Sequence, residues 1–438
     1  MFFQKELETL NRREIEIIQL ERLKYTVAHC YNNVPFYREK LDAAKVYDGS
    51  KMKTLADIKY IPFTTKDDFR ENYPYGMSAV QLSDNVRLHA SSGTTGKPTV
   101  GLYTKHDLDI WSDCVARVAV AGGVTEDDIV QVSFGYGLFT GALGLHYGLE
   151  KIGALVIPAS SGNTERQLMM MRDFGVTGLV ATPSYGMYLA EALNEEAFAL
   201  SDYRLQLGLF GSEPCTPGTR EHIERRIGIF VTDNYGMTEL GGPGVSGECK
   251  LRDGLHFAED HYLPEIIDPD TLEPIDLKSG TNAGEMIITT LTREAMPVLR
   301  YRTRDISTLN YEPCACGRTH VRMEKVTGRT DDMLIIKGVN VFPMQIEAVL
   351  ANMRYIQPHY QLIIRRENFK DTLEIKVETT DEVPVDRFIE LQNIQNEVKR
   401  RLRGALGLEA KVTLVPAKSL ERFQGKAKRI LDLRNAAE

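Results

Sequence analysis

The stretch Ser91-Ser92-Gly93-Thr94-Thr95-Gly96-Lys97-Pro98 gathers hydroxyls, flexible backbone and one cation in a short span. A phosphate needs many donors at close range with little bulk between them. Ser91, Ser92, Thr94 and Thr95 supply hydroxyls, Gly93 and Gly96 let backbone N–H groups approach, and Lys97 adds charge. A Walker A loop would require glycine at the place of Ser91 and Ser or Thr at the place of Pro98, with a helix opening directly after it. Here Thr99 to Thr104 is short, apolar and β-prone, and a helix is predicted only from about Lys105 to Gly122. Alone, such a loop reads as a glycine-rich hairpin turn; the motifs that accompany it make it a phosphate site.

A second constellation is built from sulfur. Cys249 and His256 share a turn-rich loop, and Cys314 and Cys316 flank Ala315 in a Glu-Pro-Cys-Ala-Cys-Gly turn. Two thiolates from one knuckle with a thiolate and an imidazole from another fill all four positions of a tetrahedral zinc ion, leaving none open to activate water. The expectation is a structural Zn2+ clamp tying two loops, with His261 and His320 as fallback ligands, although Cys-x-Cys is tighter than the usual zinc knuckle. Cys30, Cys114 and Cys215 read as small buried hydrophobes.

Further motifs follow in fixed order: Asn234-Tyr235-Gly236-Met237-Thr238-Glu239, Tyr301-Arg302-Thr303-Arg304-Asp305, Gly328-Arg329-Thr330-Asp331-Asp332 and Gly425-Lys426. Together with the phosphate loop they resemble the signatures of the adenylate-forming acyl-CoA synthetase superfamily. Within it the chain is most similar to the phenylacetate-CoA ligase family, which shares Arg304 where most of the superfamily has glycine, and also shares the segment Ser133 to Gly141. The resemblance runs from about residue 10 to residue 433.

That resemblance implies an AMP-forming ligase that adenylates an aryl acid, phenylacetate foremost, and transfers the acyl group to coenzyme A. A carboxylate is a poor electrophile because thiol attack would expel an oxide-like group; condensation with the α-phosphate of ATP converts that oxygen into AMP. Charge gathered on the phosphates calls for Mg2+ and a lysine. Glu239 is the candidate for the metal, Lys426 for the charge bridging carboxylate and α-phosphate, and Thr238 for a phosphate oxygen. By resemblance Asp305 accepts both ribose hydroxyls beside Arg329. Gly211, Ser212, Glu213 and Pro214 line the adenine with Asp233, Asn234 and Tyr235, and Gly236 and Met237 complete that nucleotide motif. The C-terminal domain would rotate between half-reactions about Asp331, with Lys337 and Gly338 facing the coenzyme A tunnel. Tyr136 and Phe139, set among glycines, would shape a slot for an aryl ring. Indoleacetate or a benzoate fits the same description. An adenylyltransferase moving AMP to a cofactor hydroxyl would keep every nucleotide motif, whereas a non-catalytic nucleotide sensor has little reason to keep Glu239 and Lys426 together.

The elements that must hold these residues alternate in an α/β pattern. Short apolar strands are predicted at 129–134, 154–158, 178–182, 206–210 and 228–231, two of them ending where motifs begin, as open α/β sheets place their ligands. Longer β segments follow at 285–291 and 297–309, then a hairpin at 361–365 and 372–378, a helix at 385–406 and a strand at 411–416. The reading is an α/β fold: a large N-terminal adenylate-forming domain of packed sheets and helices plus a small mobile α+β C-terminal domain. Residues 1–80 form a helical N-terminal segment that serves as a homodimer contact, 81–329 the core with the zinc loops, and 330–438 the lid. A net charge of -8 argues against nucleic-acid and anionic-membrane partners. Met1 to Leu23 lacks an apolar signal core, which places the chain in the cytoplasm. The uncharged run from Ser133 to Leu149 is too short to span a bilayer and reads as a buried, ligand-facing loop and helix.

Overall fold

Runs of Val, Ile and Leu between Ile129 and Met237 form strands buried on both faces, as parallel strands covered by helices are. The computed structural model describes residues 1–91, 97–195, 200–275, 283–330, 334–336, 339–351, 353–367, 370–381, 383, 388–422 and 429–434. They divide into two units, one of residues 1–181, 199–212 and 229–326, the other of residues 182–198, 213–228 and 327–438.

The first unit is built on a nine-stranded sheet. Leu155–Ile157, Ile129–Val132, Gly178–Ala181, Leu207–Gly211 and Phe230–Met237 pair in parallel. Gly242–Glu248, Leu255–Phe257, Arg322–Met323 and Leu309–Asn310 continue it antiparallel. The change of direction falls on Phe230–Met237, the strand that ends in the Tyr-Gly-Met-Thr-Glu motif. Tyr262–Ile267, Gly284–Thr290 and Tyr301–Ser307 form an antiparallel set. Arg87–Ala90 and Val100–Tyr103 form a hairpin whose connection holds the phosphate loop.

Helix Lys105–Gly122 starts in a Thr104/Asp107 capping box and stops at Gly123, whose φ of +114° only glycine adopts freely. It is buried along most of its length and packs against helix Thr140–Ile152. The approach is close because that helix offers glycines: a Cβ on Gly144 would lie 2.2 Å from Trp111 Cζ2, and one on Gly148 2.3 Å from Val115 Cγ1. Helix Arg12–Asn33 carries its own Asn11/Glu14 capping box and buries Ile15, Gln19, Leu23, Val27 and Cys30 along one stripe.

In the second unit, strands Ile356–Glu367 and Lys370–Thr379 form an antiparallel hairpin flanked in parallel by Ile430–Asp432 and Lys411–Val415. Helices Pro343–Ala351 and Phe388–Leu406 supply Ile346, Leu350, Val398 and Leu402 to a core with Leu362, Ile364, Ile375 and Val377.

Two expectations differ from the structure. The segment 297–309 is not one strand: Pro297 can donate no ladder hydrogen bond, Arg300 turns at φ +44°, and the strand runs only from Tyr301 to Ser307. The run from Ser133 to Leu149 is not wholly buried, since Leu138 and Phe139 precede the first turn of the helix and are 52% and 51% exposed.

Candidate active site

The phosphate loop is framed at its base. Ser91 N–H donates to the Thr99 carbonyl at 2.9 Å, and the Ser91 hydroxyl accepts from Thr99 N–H at 2.9 Å. Lys97 is exposed with its ammonium 5.5 Å from the Tyr73 ring centroid. Ser92, Gly93, Thr94, Thr95 and Gly96 lie outside the described residues.

Strand Phe230–Met237 delivers the next motif. Asn234 Nδ2 donates to the Phe210 carbonyl at 2.7 Å, fixing this strand to its parallel neighbour. At the end of that neighbour, a Cβ on Gly211 would lie 2.6 Å from the Asn234 carbonyl oxygen, and Ser212 turns away at φ +70°. Asp233 N–H donates to Glu248 Oε2 at 2.8 Å. Gly236 has no alternative, because any Cβ would sit 2.0 Å from the Gly242 carbonyl oxygen. The chain then closes into a 3-10 turn, Thr238–Leu240, in which Met237 is the preceding extended residue and Glu239 is buried.

Asp305 meets this motif from another sheet. Between strands Gly284–Thr290 and Tyr301–Ser307 the register slips, Glu285 facing Ile306 but Ile287 facing Arg302, so Thr303 to Asp305 form a bulge. Arg304 takes φ +68° there. The bulge turns Asp305 inward, 3% exposed, where Oδ2 accepts a 2.6 Å hydrogen bond from the Tyr235 hydroxyl. Tyr235 and Asp305, singled out by separate motifs, are thus brought together.

Glu213 and Pro214 fall in the second unit, as does Arg329. Burial raises the Glu213 carboxyl above its ordinary range, and it accepts from the Ser184 hydroxyl. Asp331, Lys337, Gly338, Gly425 and Lys426 lie outside the described residues. Tyr136 and Phe139 differ in setting. The Tyr136 hydroxyl and His146 Nδ1 are 3.0 Å apart, and His146 Nε2 is 3.1 Å from Glu150, while Phe139 is half exposed.

Cys249, His256, Cys314 and Cys316 converge, all four ligand atoms lying within 4.8 Å of one another. Cys249 Sγ is 3.9 Å from Cys314 Sγ, and Cys316 Sγ is 3.6 Å from His256 Nε2. Zn–S bonds of about 2.3 Å and Zn–N bonds of about 2.0 Å in a tetrahedron demand S···S of about 3.8 Å and S···N of about 3.5 Å, so the donor set fits. The Cys316 thiol is held far below its ordinary value, first by the hydrogen bond to Cys249 and then by that to His256. His261 and His320 point elsewhere: His261 pairs with Thr292 and Asp260, and both ring nitrogens of His320 meet backbone carbonyls, of Phe257 and Leu7.

Three neighbours were not legible as site residues. His146 against Tyr136 lies one helical turn from Glu150 and could have been found by that spacing. Glu248 and Arg293 carry no local signal: one is a strand residue beside Cys249, the other a lone arginine in a loop, and each acts through backbone atoms of distant segments.

The chain matches the AMP-binding enzyme family over residues 17–291 and the AMP-binding enzyme C-terminal domain over residues 338–434. It is 46% identical to the phenylacetate-coenzyme A ligase of Thermus thermophilus, covering 99% of this chain and 100% of the relative. Its identity to the phenylacetate-coenzyme A ligase of Escherichia coli is 44%, covering 98% and 97%. Among solved structures, 2-hydroxyisobutyryl-CoA ligase in its postadenylation state superposes with a TM-score of 0.90 at 28% identity, covering 98% of this chain and 91% of that one.

Proposed function

The chain belongs to the AMP-binding enzyme family and within it to the phenylacetate-coenzyme A ligases, and we propose that phenylacetate is the acid it activates. A carboxylate oxygen attacks the α-phosphorus of ATP as the bond to diphosphate breaks; the thiol of coenzyme A gives its proton to solvent, and the resulting thiolate attacks the acyl carbon as the bond to AMP breaks. The observation that carries this reading is the near-full-length identity to two phenylacetate-coenzyme A ligases, in a chain where the Tyr235–Asp305 pair stands beside the Thr238–Leu240 turn.

Asp305 would accept the ribose hydroxyls, preordered by Tyr235, and Arg329 would serve the same nucleotide. Gly211, Ser212, Asp233, Asn234, Glu213 and Pro214 would enclose adenine, and Ser91 to Lys97 the outer phosphates. Glu239 is a buried acidic residue in the Thr238–Leu240 turn, a setting that suits a cation ligand, so Glu239 would hold Mg2+. When bound, Mg2+ supplies neutralisation of the charge moving onto diphosphate. Thr238 would donate to a phosphate oxygen and Lys426 would bridge carboxylate and α-phosphate. Asp331 would be the hinge between half-reactions, and Lys337 and Gly338 would face coenzyme A. Tyr136, oriented by His146, would form one wall of the aryl slot. Cys249, His256, Cys314 and Cys316 would hold a structural Zn2+. Ile17 and Tyr25, exposed on helix Arg12–Asn33, suit a homodimer contact, which sedimentation at two protein concentrations would reveal as a mass that does not halve on dilution.

Diphosphate release from ATP and Mg2+, run over a panel of aryl and aliphatic acids with and without coenzyme A, tests the reading. Release with phenylacetate, and a thioester only when coenzyme A is added, is the expected result. Preference for indoleacetate or a benzoate would reassign the acid, and release that requires a cofactor hydroxyl instead of coenzyme A would make the protein an adenylyltransferase.

A further inference from the structure

We propose that Arg293 is a positioning residue for the adenylation half-reaction, locking the Thr238–Leu240 turn to the strand that leaves the phosphate loop. The proposal rests on the roles given above to Thr238 and Glu239. Arg293 is 8% exposed and, among the described residues, has no carboxylate within ion-pair distance. Its guanidinium bridges two backbone carbonyls from segments far apart in sequence: Nη1 donates to Glu239 at 3.1 Å and Nη2 to Leu102 at 2.9 Å. It also lies 5.0 Å from the Tyr103 ring centroid, and the Tyr103 hydroxyl donates to the Gly241 carbonyl at 3.1 Å. Strand and turn touch directly, a Cβ on Gly101 falling 3.5 Å from the Thr238 carbonyl oxygen.

The arginine is itself held from behind. Asp107, in the capping box of helix Lys105–Gly122, accepts from Glu294 N–H at 2.7 Å and Ala295 N–H at 3.0 Å. Glu294 accepts from the Thr104 hydroxyl at 2.8 Å. A buried guanidinium without a carboxylate partner is expensive to desolvate, and a packed apolar side chain would fill the space at less cost. What arginine adds is a rigid planar fork whose two separate nitrogens reach two carbonyls at once, where lysine offers its donors from one nitrogen on a flexible stem. It also adds a positive field behind the turn whose front carries Glu239, where phosphate charge is to be met.

The test compares Arg293→Gln and Arg293→Lys with the parent enzyme in two assays: diphosphate release as a function of MgATP, and thioester formation from supplied phenylacetyl adenylate and coenzyme A. Loss of two hydrogen bonds from a charged donor raises KM for MgATP by about ten- to a hundredfold in Arg293→Gln, with a smaller rise in Arg293→Lys and transfer from the supplied adenylate within about twofold of the parent. A merely structural role would lower both halves in proportion to folded protein and leave KM for MgATP unchanged; that result, or a parent-like Arg293→Gln, overturns the proposal. Glu239→Gln is run beside them. If it loses adenylation while Arg293→Gln does not, the proposal alone falls; if Glu239→Gln adenylates normally, the role given to Glu239 falls and the proposal with it.

Discussion

Arg304 stands at φ +68°, a backbone conformation that glycine enters freely and other residues enter at a penalty of about 1 kcal/mol or more. A glycine would take this conformation without that penalty, and the bulge, not the arginine side chain, aims Asp305. Asp305→Asn is expected to raise KM for ATP by about tenfold or more, since the amide can accept at one atom only, and Tyr235→Phe by less, since it frees the carboxylate without removing it. Steady-state diphosphate release against ATP concentration reads both, and equal, small effects would deny the ribose role. A second residue gives a pH signature. Burial lowers the His261 imidazole from its ordinary 6.5 to about 3, so the neutral ring donates from Nε2 to Asp260 and accepts from the Thr292 hydroxyl at Nδ1. As pH falls below about 6.5 the unfolded chain binds a proton that the folded chain refuses until about 3. This group's contribution is therefore complete above that window and declines within it, by about 1.4 kcal/mol per pH unit. Asp260, whose carboxyl is held low by the Arg117 guanidinium that donates to both its oxygens, stays ionised across it. His261→Gln should show a shallower loss of stability by denaturant unfolding between pH 6 and pH 4, shallower by about one proton; parallel slopes would refute the assignment.

Parallel strands could be read from the sequence because they appear as unbroken apolar runs, most of them buried on both faces, with Leu155–Ile157 a partly exposed edge strand; each run between residue 129 and residue 210 became one within a residue or two. The antiparallel half was harder to see. Gly242–Glu248 is buried throughout yet holds three glycines, because helix Lys105–Gly122 lies so close that a Cβ on Gly247 would fall 2.3 Å from Val118 Cγ1. The same closeness makes Gly148→Ala destabilising by about 1–3 kcal/mol, as overpacking against Val115 demands. Gly404→Ala, in helix Phe388–Leu406 with nothing within 4 Å of its Cβ, should instead stabilise by about 0.5–1 kcal/mol. Urea unfolding of the pair, with opposite signs expected, separates packing from helix propensity. The sulfur cluster was legible from residue types alone, but not what surrounds it. Arg318, two residues beyond Cys316, forms a buried 2.7 Å ion pair with Glu8 and donates to the Met1 carbonyl, so the knuckle also fastens the N-terminal segment. Metal analysis should find one zinc per chain, absent in Cys249→Ser. Stripping the metal with a chelator should lower Tm and expose the bonds near residues 1–10 to proteolysis before activity is lost. Unchanged proteolysis after zinc release would show that the knuckle folds without it.

Two half-reactions place opposite demands on one molecule: the first needs positive charge at the α-phosphate, the second needs a clear path for a thiol to the acyl carbon. In this chain Thr238, Glu239 and Asp305, the residues proposed for the nucleotide, belong to the first unit, whereas Lys426, proposed for the α-phosphate, comes from the C-terminal part of the sequence and lies outside the described residues. Chemistry divided in this way predicts a divided phenotype. On the proposed role, Lys426→Ala would remove a cation that acts only while charge builds on the phosphates, an effect worth about 10²–10³ in rate for a single oriented donor, and would leave the thiol's attack on a finished adenylate untouched. Diphosphate release should fall by that factor while thioester formation from supplied phenylacetyl adenylate stays near the parent rate. The neighbouring cation gives the control: Lys428→Ala should leave both halves within about twofold, because the Gly-Lys-x-x-Arg register gives the phosphate role to Lys426 alone. If Lys428→Ala rather than Lys426→Ala abolished adenylation, the Gly-Lys-x-x-Arg register would be wrong by two residues. If both halves fell together in Lys426→Ala, the lysine would serve the closed state as a whole and not the phosphate chemistry, and the division of labour between the two units would have to be redrawn.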